Sequence, residues 1–208
     1  MAGITGLDPS DPASRDRFLK RVLVAGGTLL AGGALAAGLP RLASSAQSPA
    51  QDGEIFELAL LLERLQAAFY GEAAERAELD AELLEFAKVV AGHEREHVAY
   101  LEEALGSAAP QEPELDFGAA TTESEAFAAT AVMLEDLAVA AYNGQAANLT
   151  KAGLRAAATV VSVDARHAAW IRAIIGRPAA SQAVDKPLSK ADVLAKIDES
   201  GFVREESP

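Results

Sequence analysis

The sequence predicts an all-α fold: a four-helix bundle built as two antiparallel hairpins joined by a long crossover, plus a short C-terminal helix. Three observations predict it. Half of the 208 residues are hydrophobic, but many of these are alanine and β-branched or aromatic clusters are sparse, which favours helices over strands. Apolar residues recur at spacings of three and four. The connections between these segments run short, long, short, and that order dictates how the helices pair.

Residues 1–46 are set apart as an export signal. Arg15, Arg17 and Lys20 precede the apolar, Gly/Ala-rich run Val22 to Leu39, and Ala43-Ser-Ser-Ala46 supplies a small-x-small end with cleavage after Ala46. Ser14-Arg-Asp-Arg-Phe-Leu-Lys20 resembles the twin-arginine signal S-R-R-x-F-L-K, with Asp16 in place of the second arginine. That resemblance implies a protein folded, often around its cofactor, before it crosses the membrane. Left uncleaved, the 18-residue apolar run would just span a bilayer as an anchor.

The first bundle helix is expected from Asp52 to Arg76, where apolar residues fall at 55, 58, 62, 65 and 69. The second runs from about Asp80 to Leu105, with Gly106 as its C′ residue. The third begins after Thr121-Thr-Glu-Ser124, capped by a Thr or Ser, and reaches Leu149. The fourth follows Lys151-Ala-Gly153 and ends at Gly176, with Pro178 just beyond. The bundle domain is thus residues 47–178, and the tail, 179–208, carries a short helix over Ala191 to Asp198 capped by Ser189. Between the second and third helices lie residues 107–120, bearing Pro and Gly without helical period. Fourteen extended residues reach roughly 46 Å, whereas a helix of about 25 residues is ~38 Å long. The linker can therefore cross the whole bundle.

Charge and composition exclude several functions. The formal charge is -13, and no window concentrates Lys and Arg beside aromatics, so nucleic acid is not a partner. Removing residues 1–46 takes away five basic and three acidic groups and leaves -15. There is no cysteine, hence no disulfide, thiolate metal site or cysteine nucleophile.

The chemistry lies in a repeat. Leu62-Glu-Arg-Leu-Gln-Ala-Ala-Phe-Tyr70 matches Leu134-Glu-Asp-Leu-Ala-Val-Ala-Ala-Tyr142 at a shift of 72, and Glu94-Arg-Glu-His97 matches Asp164-Ala-Arg-His167 at a shift of 70. Each hairpin carries Glu on its first helix (Glu63, Glu135) and acid-x-x-His on its second. Acid and histidine three apart share a helix face, and each acid lies within about a turn of its helix midpoint. Four carboxylates and two histidines therefore meet in one layer. Burying four unpaired carboxylates is too unfavourable, so cations should neutralise them; the alternative is a set of salt-bridged core acids. His93-Glu-Arg-Glu-His97 also spells the zinc-peptidase pattern H-E-x-x-H, but the second copy has Val163 where His93 stands, so the repeated unit is acid-x-x-His.

Glu63, Glu94-x-x-His97, Glu135 and Asp164-x-x-His167 resemble the dimetal carboxylate set of the ferritin-like superfamily. The neighbouring residues, such as Glu135-Asp-Leu-Ala-Val-Ala-Ala-Tyr142, look more specifically like exported bacterial ferritin-like domain proteins akin to the desiccation-related group. The resemblance implies bridging by Glu94 and Asp164, terminal ligation by Glu63 and Glu135, and one metal for each of His97 and His167. Asp164 stands where the family has Glu and is one methylene shorter.

Carboxylate and imidazole donors without sulfur suit two Fe or two Mn ions, and zinc also occupies such sites. The expected function is redox chemistry on Fe(II), O2 or peroxide, either iron oxidation or peroxide removal under stress. The alternatives are a non-catalytic protective or partner-binding bundle and, more remotely, a zinc peptidase. Assembly into homo-oligomers stays open. Tyr70 and Tyr142, two turns beyond Glu63 and Glu135, either pack as core aromatics, the simpler reading, or serve a ligand carboxylate as neighbours of the centre. Trp170, three after His167, is read in the same way.

Overall fold

The computed structural model describes residues 47–204; the export-signal reading falls on residues 1–46 and lies outside them. The described residues cluster as one compact unit. Among the described residues there are five α-helices and no strand: α1 Pro49–Arg76, α2 Ala81–Leu105, α3 Ser124–Gln145, α4 Lys151–Ile174 and α5 Lys190–Ser200. None of them is long and apolar enough to cross a membrane.

Local chemistry sets the ends. Ser48 accepts from Gln51 N–H and Pro49 takes the first helical position of α1, where its missing N–H is harmless. Thr150 caps α4 by accepting from Gly153 N–H, and Ser189 caps α5 by accepting from Asp192 N–H. Gly106 ends α2 as expected.

Several expected boundaries move: α1 starts at Pro49 instead of Asp52, α4 ends at Ile174 instead of Gly176, and α5 covers Lys190–Ser200 instead of Ala191–Asp198. Helix α3 has no side-chain cap, because the Thr121 hydroxyl donates to Glu72, Thr122 donates to Ala119 C=O, and the Ser124 hydroxyl accepts from Asp80 N–H. It also stops at Gln145, where residues 146–148 tighten into a 3-10 turn. Helix α4 begins at Lys151 instead of after Gly153, since Thr150 already supplies the cap.

Helix α1 packs against α2 and α3 against α4, as two hairpins, with α1 facing α3 and α2 facing α4. The crossover leaves the end of α2 beside Arg64, whose guanidinium donates to Pro110 C=O and pairs with Glu102 at 2.7 Å. It then runs along α1 to Glu72 and delivers Ser124 to Asp80, at the start of α2. It thus spans the bundle, and α3 runs parallel to α2.

The tail closes over this linker. Leu115 bridges Val203 in antiparallel fashion, Asp116 N–H donates to Phe202 C=O and Arg204 N–H to Glu114 C=O, both at 2.9 Å. Arg204 pairs with Asp116, and the Phe202 ring meets Phe117 edge-on. Val193 and Ile197 of α5 join the bundle core. Before α5 the chain lies on α3: Leu188 N–H donates to Ala140 C=O, and the Leu188 carbonyl sits 1.7 Å from where a Cβ on Gly144 would stand.

The interior divides into two apolar clusters. One gathers Phe69, Tyr70, Phe86 and Phe127 toward the α1–α2 turn; the other gathers Ile55, Phe56, Leu60, Leu101, Leu149 and Val160 toward the opposite end. Between them, on each of α1 to α4, stands one fully buried acid.

Candidate metal centre

Each bundle helix contributes to this middle layer. Glu63 comes from α1, Glu94 and His97 from α2, Glu135 from α3, and Asp164 and His167 from α4. The four carboxylates have no solvent exposure, and the histidines are buried. The structure therefore brings all six residues named from the repeat into one place.

Both histidines turn Nδ1 inward. His97 Nδ1 lies 3.0 Å from Glu94 Oε2, 3.1 Å from Glu63 Oε2 and 3.5 Å from Asp164 Oδ1. His167 Nδ1 lies 3.0 Å from Glu94 Oε1 and 3.5 Å from Glu135 Oε2. Glu94 thus presents one oxygen to each histidine.

Closeness here is not alignment. Glu94 Oε1, Glu135 Oε2, both Asp164 oxygens and His167 Nδ1 are buried with no hydrogen-bond partner among the described residues. Buried polar atoms are normally satisfied. Donor atoms that converge in this way could hold a common cation. Two sets of four fit that description, with ligand atoms within 4.8 Å of one another: Glu63, Glu94, His97, Asp164 and Glu94, Glu135, Asp164, His167. Glu94 and Asp164 belong to both.

The electrostatics agree. Burial, and then the Glu94 charge, push Glu63 from 4.5 to about 8. Burial lifts Asp164 well above the usual carboxylate range, helped by Glu63, Glu94 and Glu135, and burial raises Glu135 too. Glu94 goes the other way: burial disfavours its charge, but His167 and His97 overcome that and hold it at about 2. Burial opposes charge on the histidines, yet Glu63 and Glu94 draw His97 up to about 11, and Glu135 and Glu94 draw His167 up to about 9. Protons thus neutralise a layer that cations could neutralise instead.

The tyrosines are more than packing. Tyr70 O–H donates to Glu135 Oε1 at 2.6 Å and Tyr142 O–H donates to Glu63 Oε1 at 2.9 Å, so each hairpin's tyrosine holds the other hairpin's glutamate. Tyr70 is also enclosed by Phe86 and Phe127, so both readings of that position hold together. Trp170 packs edge-on against Phe86 as a core aromatic.

Some residues of interest were not singled out from sequence. Gln66, one turn after Glu63, is fully buried, and neither of its amide atoms has a hydrogen-bond partner among the described residues. A polar residue in step with apolar Leu62, Phe69 and Ala73 is the signal that could have flagged it. Arg64 had no signal, since its partners, Glu102 on α2 and Pro110 on the crossover, are distant in sequence. His93 is exposed and stands outside both sets of four, and its Nδ1 is 2.9 Å from His167 Nε2. It does not converge with His97, as a zinc peptidase would require.

Residues 51–177 match the model of a family described as ferritin-like domain. No curated protein matches the chain.

Proposed function

The chain belongs to the ferritin-like domain family, and from that premise we propose that its buried layer is a dimetal carboxylate centre for redox chemistry on Fe(II), O2 or peroxide. The observation that carries this reading is the pair of four-residue sets sharing Glu94 and Asp164, with unpartnered buried oxygens and inward Nδ1 atoms. Glu63 and His97 would complete one metal position and Glu135 and His167 the other. The donors, carboxylate and imidazole without sulfur, suit Fe or Mn, with Zn also admissible. Bound there, the metals supply the electron transfers by which Fe(II) is oxidised or O2 and peroxide are reduced.

The chain's own residues prepare that site. Tyr70 and Tyr142 orient the outer carboxylates, leaving Glu135 Oε2 and Glu63 Oε2 turned toward the histidines. The two apolar clusters exclude water, which strengthens every electrostatic interaction in the layer. Asp164, shorter than glutamate, stands 3.5 Å from His97 Nδ1. We further propose that residues 1–46 direct export by the twin-arginine route, which would allow the layer to be loaded before translocation, and that the chemistry serves stress protection outside the cytoplasm.

Elemental analysis tests the centre. Protein expressed with iron and manganese both supplied, and purified without chelator, should carry close to two Fe or Mn per chain. A Glu94→Ala, His97→Ala variant should lose them. Helical wild-type protein that takes up no metal, even after anaerobic Fe(II) reconstitution, would refute the proposal and leave a scaffold or protective bundle.

A further inference from the structure

The H-E-x-x-H run contains one histidine that the dimetal layer does not use, and its surroundings give it a task. The His93 ring lies nearly parallel to that of His167, with 12° between planes and 5.1 Å between centroids. Its Nδ1 is 2.9 Å from His167 Nε2, while His167 Nδ1 points the opposite way, into the carboxylates. An imidazole whose Nδ1 lone pair faces a cation carries its proton on Nε2. That proton needs an acceptor, and His93 Nδ1 is in reach. His93 must then keep its own proton on Nε2, so one hydrogen bond determines both tautomers.

We propose that His93 is a positioning residue of the metal centre, accepting a hydrogen bond from His167 Nε2–H and thereby fixing the tautomer and ring plane that present Nδ1 to the layer. The inference rests on the dimetal reading above and adds an asymmetry to it. The duplicated hairpin has Val163 at the position matching His93, and an isopropyl group accepts no hydrogen bond. The His167 position is therefore oriented in advance in a way that Val163 cannot reproduce for His97. The two metal positions become unequal, and the one at His167 fills first.

Calorimetric titration of the metal-free full-length chain with Co(II), alongside His93→Leu and His93→Asn, tests this. Leucine keeps apolar bulk and removes the acceptor; asparagine places an amide oxygen near where Nδ1 stood. The wild type should bind two Co(II) in distinguishable steps. His93→Leu should weaken the tighter step by about 10- to 100-fold, the usual effect of losing a ligand's hydrogen-bond partner, and His93→Asn should restore most of it. Wild-type affinity in His93→Leu, or equal weakening in both variants, overturns the proposal. Imidazole 15N spectra of the metal-free protein separate the two levels of inference. If the wild type binds no Co(II), the dimetal reading falls, but His93 in the Nε2–H tautomer with a proton on His167 Nε2 still supports the pairing; a proton on His93 Nδ1 overturns it.

Discussion

Raising the pH should unfold the metal-free protein, and the layer allows the size of the effect to be worked out. Glu63 keeps its proton in the fold up to about pH 8, whereas the same carboxyl in an unfolded chain loses it near 4.5. Its stabilising contribution is therefore complete below 4.5 and is lost as pH rises through 8. That interval corresponds to about 5 kcal/mol. His97, raised to about 11, and His167, raised to about 9, behave alike from 6.5 upward. Asp164 and Glu135 are raised and add in the same sense. Glu94, held near 2, contributes stability above 4.5 that is lost only as pH falls through 2, so it does not oppose the trend in the neutral range.

Each such proton makes stability fall by ~1.4 kcal/mol per pH unit, and Glu63, His97 and His167 all act in this sense between pH 6.5 and 8. Domains of ordinary stability have about 5–15 kcal/mol in total. Urea unfolding of chelator-treated protein, followed by circular dichroism from pH 5 to 9, should show a steady fall in midpoint. Glu63→Gln should flatten the slope below pH 6.5 by about one proton. With Mn(II) or Fe(II) bound the trend should reverse, because ligation needs these groups deprotonated. Stability of the metal-free protein that is level or rising from pH 5 to 6.5, or a slope unchanged in Glu63→Gln, would refute the reasoning.

Three further substitutions probe what holds the layer and the tail. Tyr70→Phe and Tyr142→Phe each remove a donor from a buried carboxylate and should destabilise the metal-free protein by about 1.5–3 kcal/mol; the double variant should depart from the sum because both carboxylates belong to one cluster. Thermal or urea unfolding measures both, and changes under 0.5 kcal/mol would contradict the geometry. Gly144→Ala puts a Cβ where the Leu188 carbonyl lies, a backbone atom that cannot rotate away. It should detach residues 186–188 from α3, visible as faster hydrogen exchange at Leu188 N–H, while leaving the metal layer in place.

What the sequence made legible follows from what can be read along one helix. Acid-x-x-His at a shift of 70 and Glu at a shift of 72 needed only helical periodicity, so all six residues of the layer could be named. Gly106 and Ser189 follow from capping chemistry that acts within a few residues. The errors begin where partners are distant. Thr121, Thr122 and Ser124 all looked like caps for α3, but Glu72 and Asp80, more than forty residues away, claim two of those hydroxyls. The tyrosine hydroxyls could not be assigned because each crosses to the opposite hairpin, and the rotation that sends Tyr70 to Glu135 is set by packing of all four helices. His93 reads from sequence as a partly exposed neighbour of the site and not a ligand, but its partner could not be named. Its sequence neighbours point to His97, whereas its partner lies on α4.

The pairing of residues 114–116 with 202–204 also puts a clock on assembly. Asp116 and Arg204 are 88 residues apart, so a ribosome working at 5–20 residues per second needs roughly 4 to 18 s to make the second after the first. By the end of that interval both hairpins can have formed on their own short turns, with the crossover held by Arg64, Glu72, Asp80 and the packing of Phe117 on Phe69. The last bolt on the linker is thus drawn after both halves of the buried acidic layer have been synthesised, so the linker side of the bundle is fastened last.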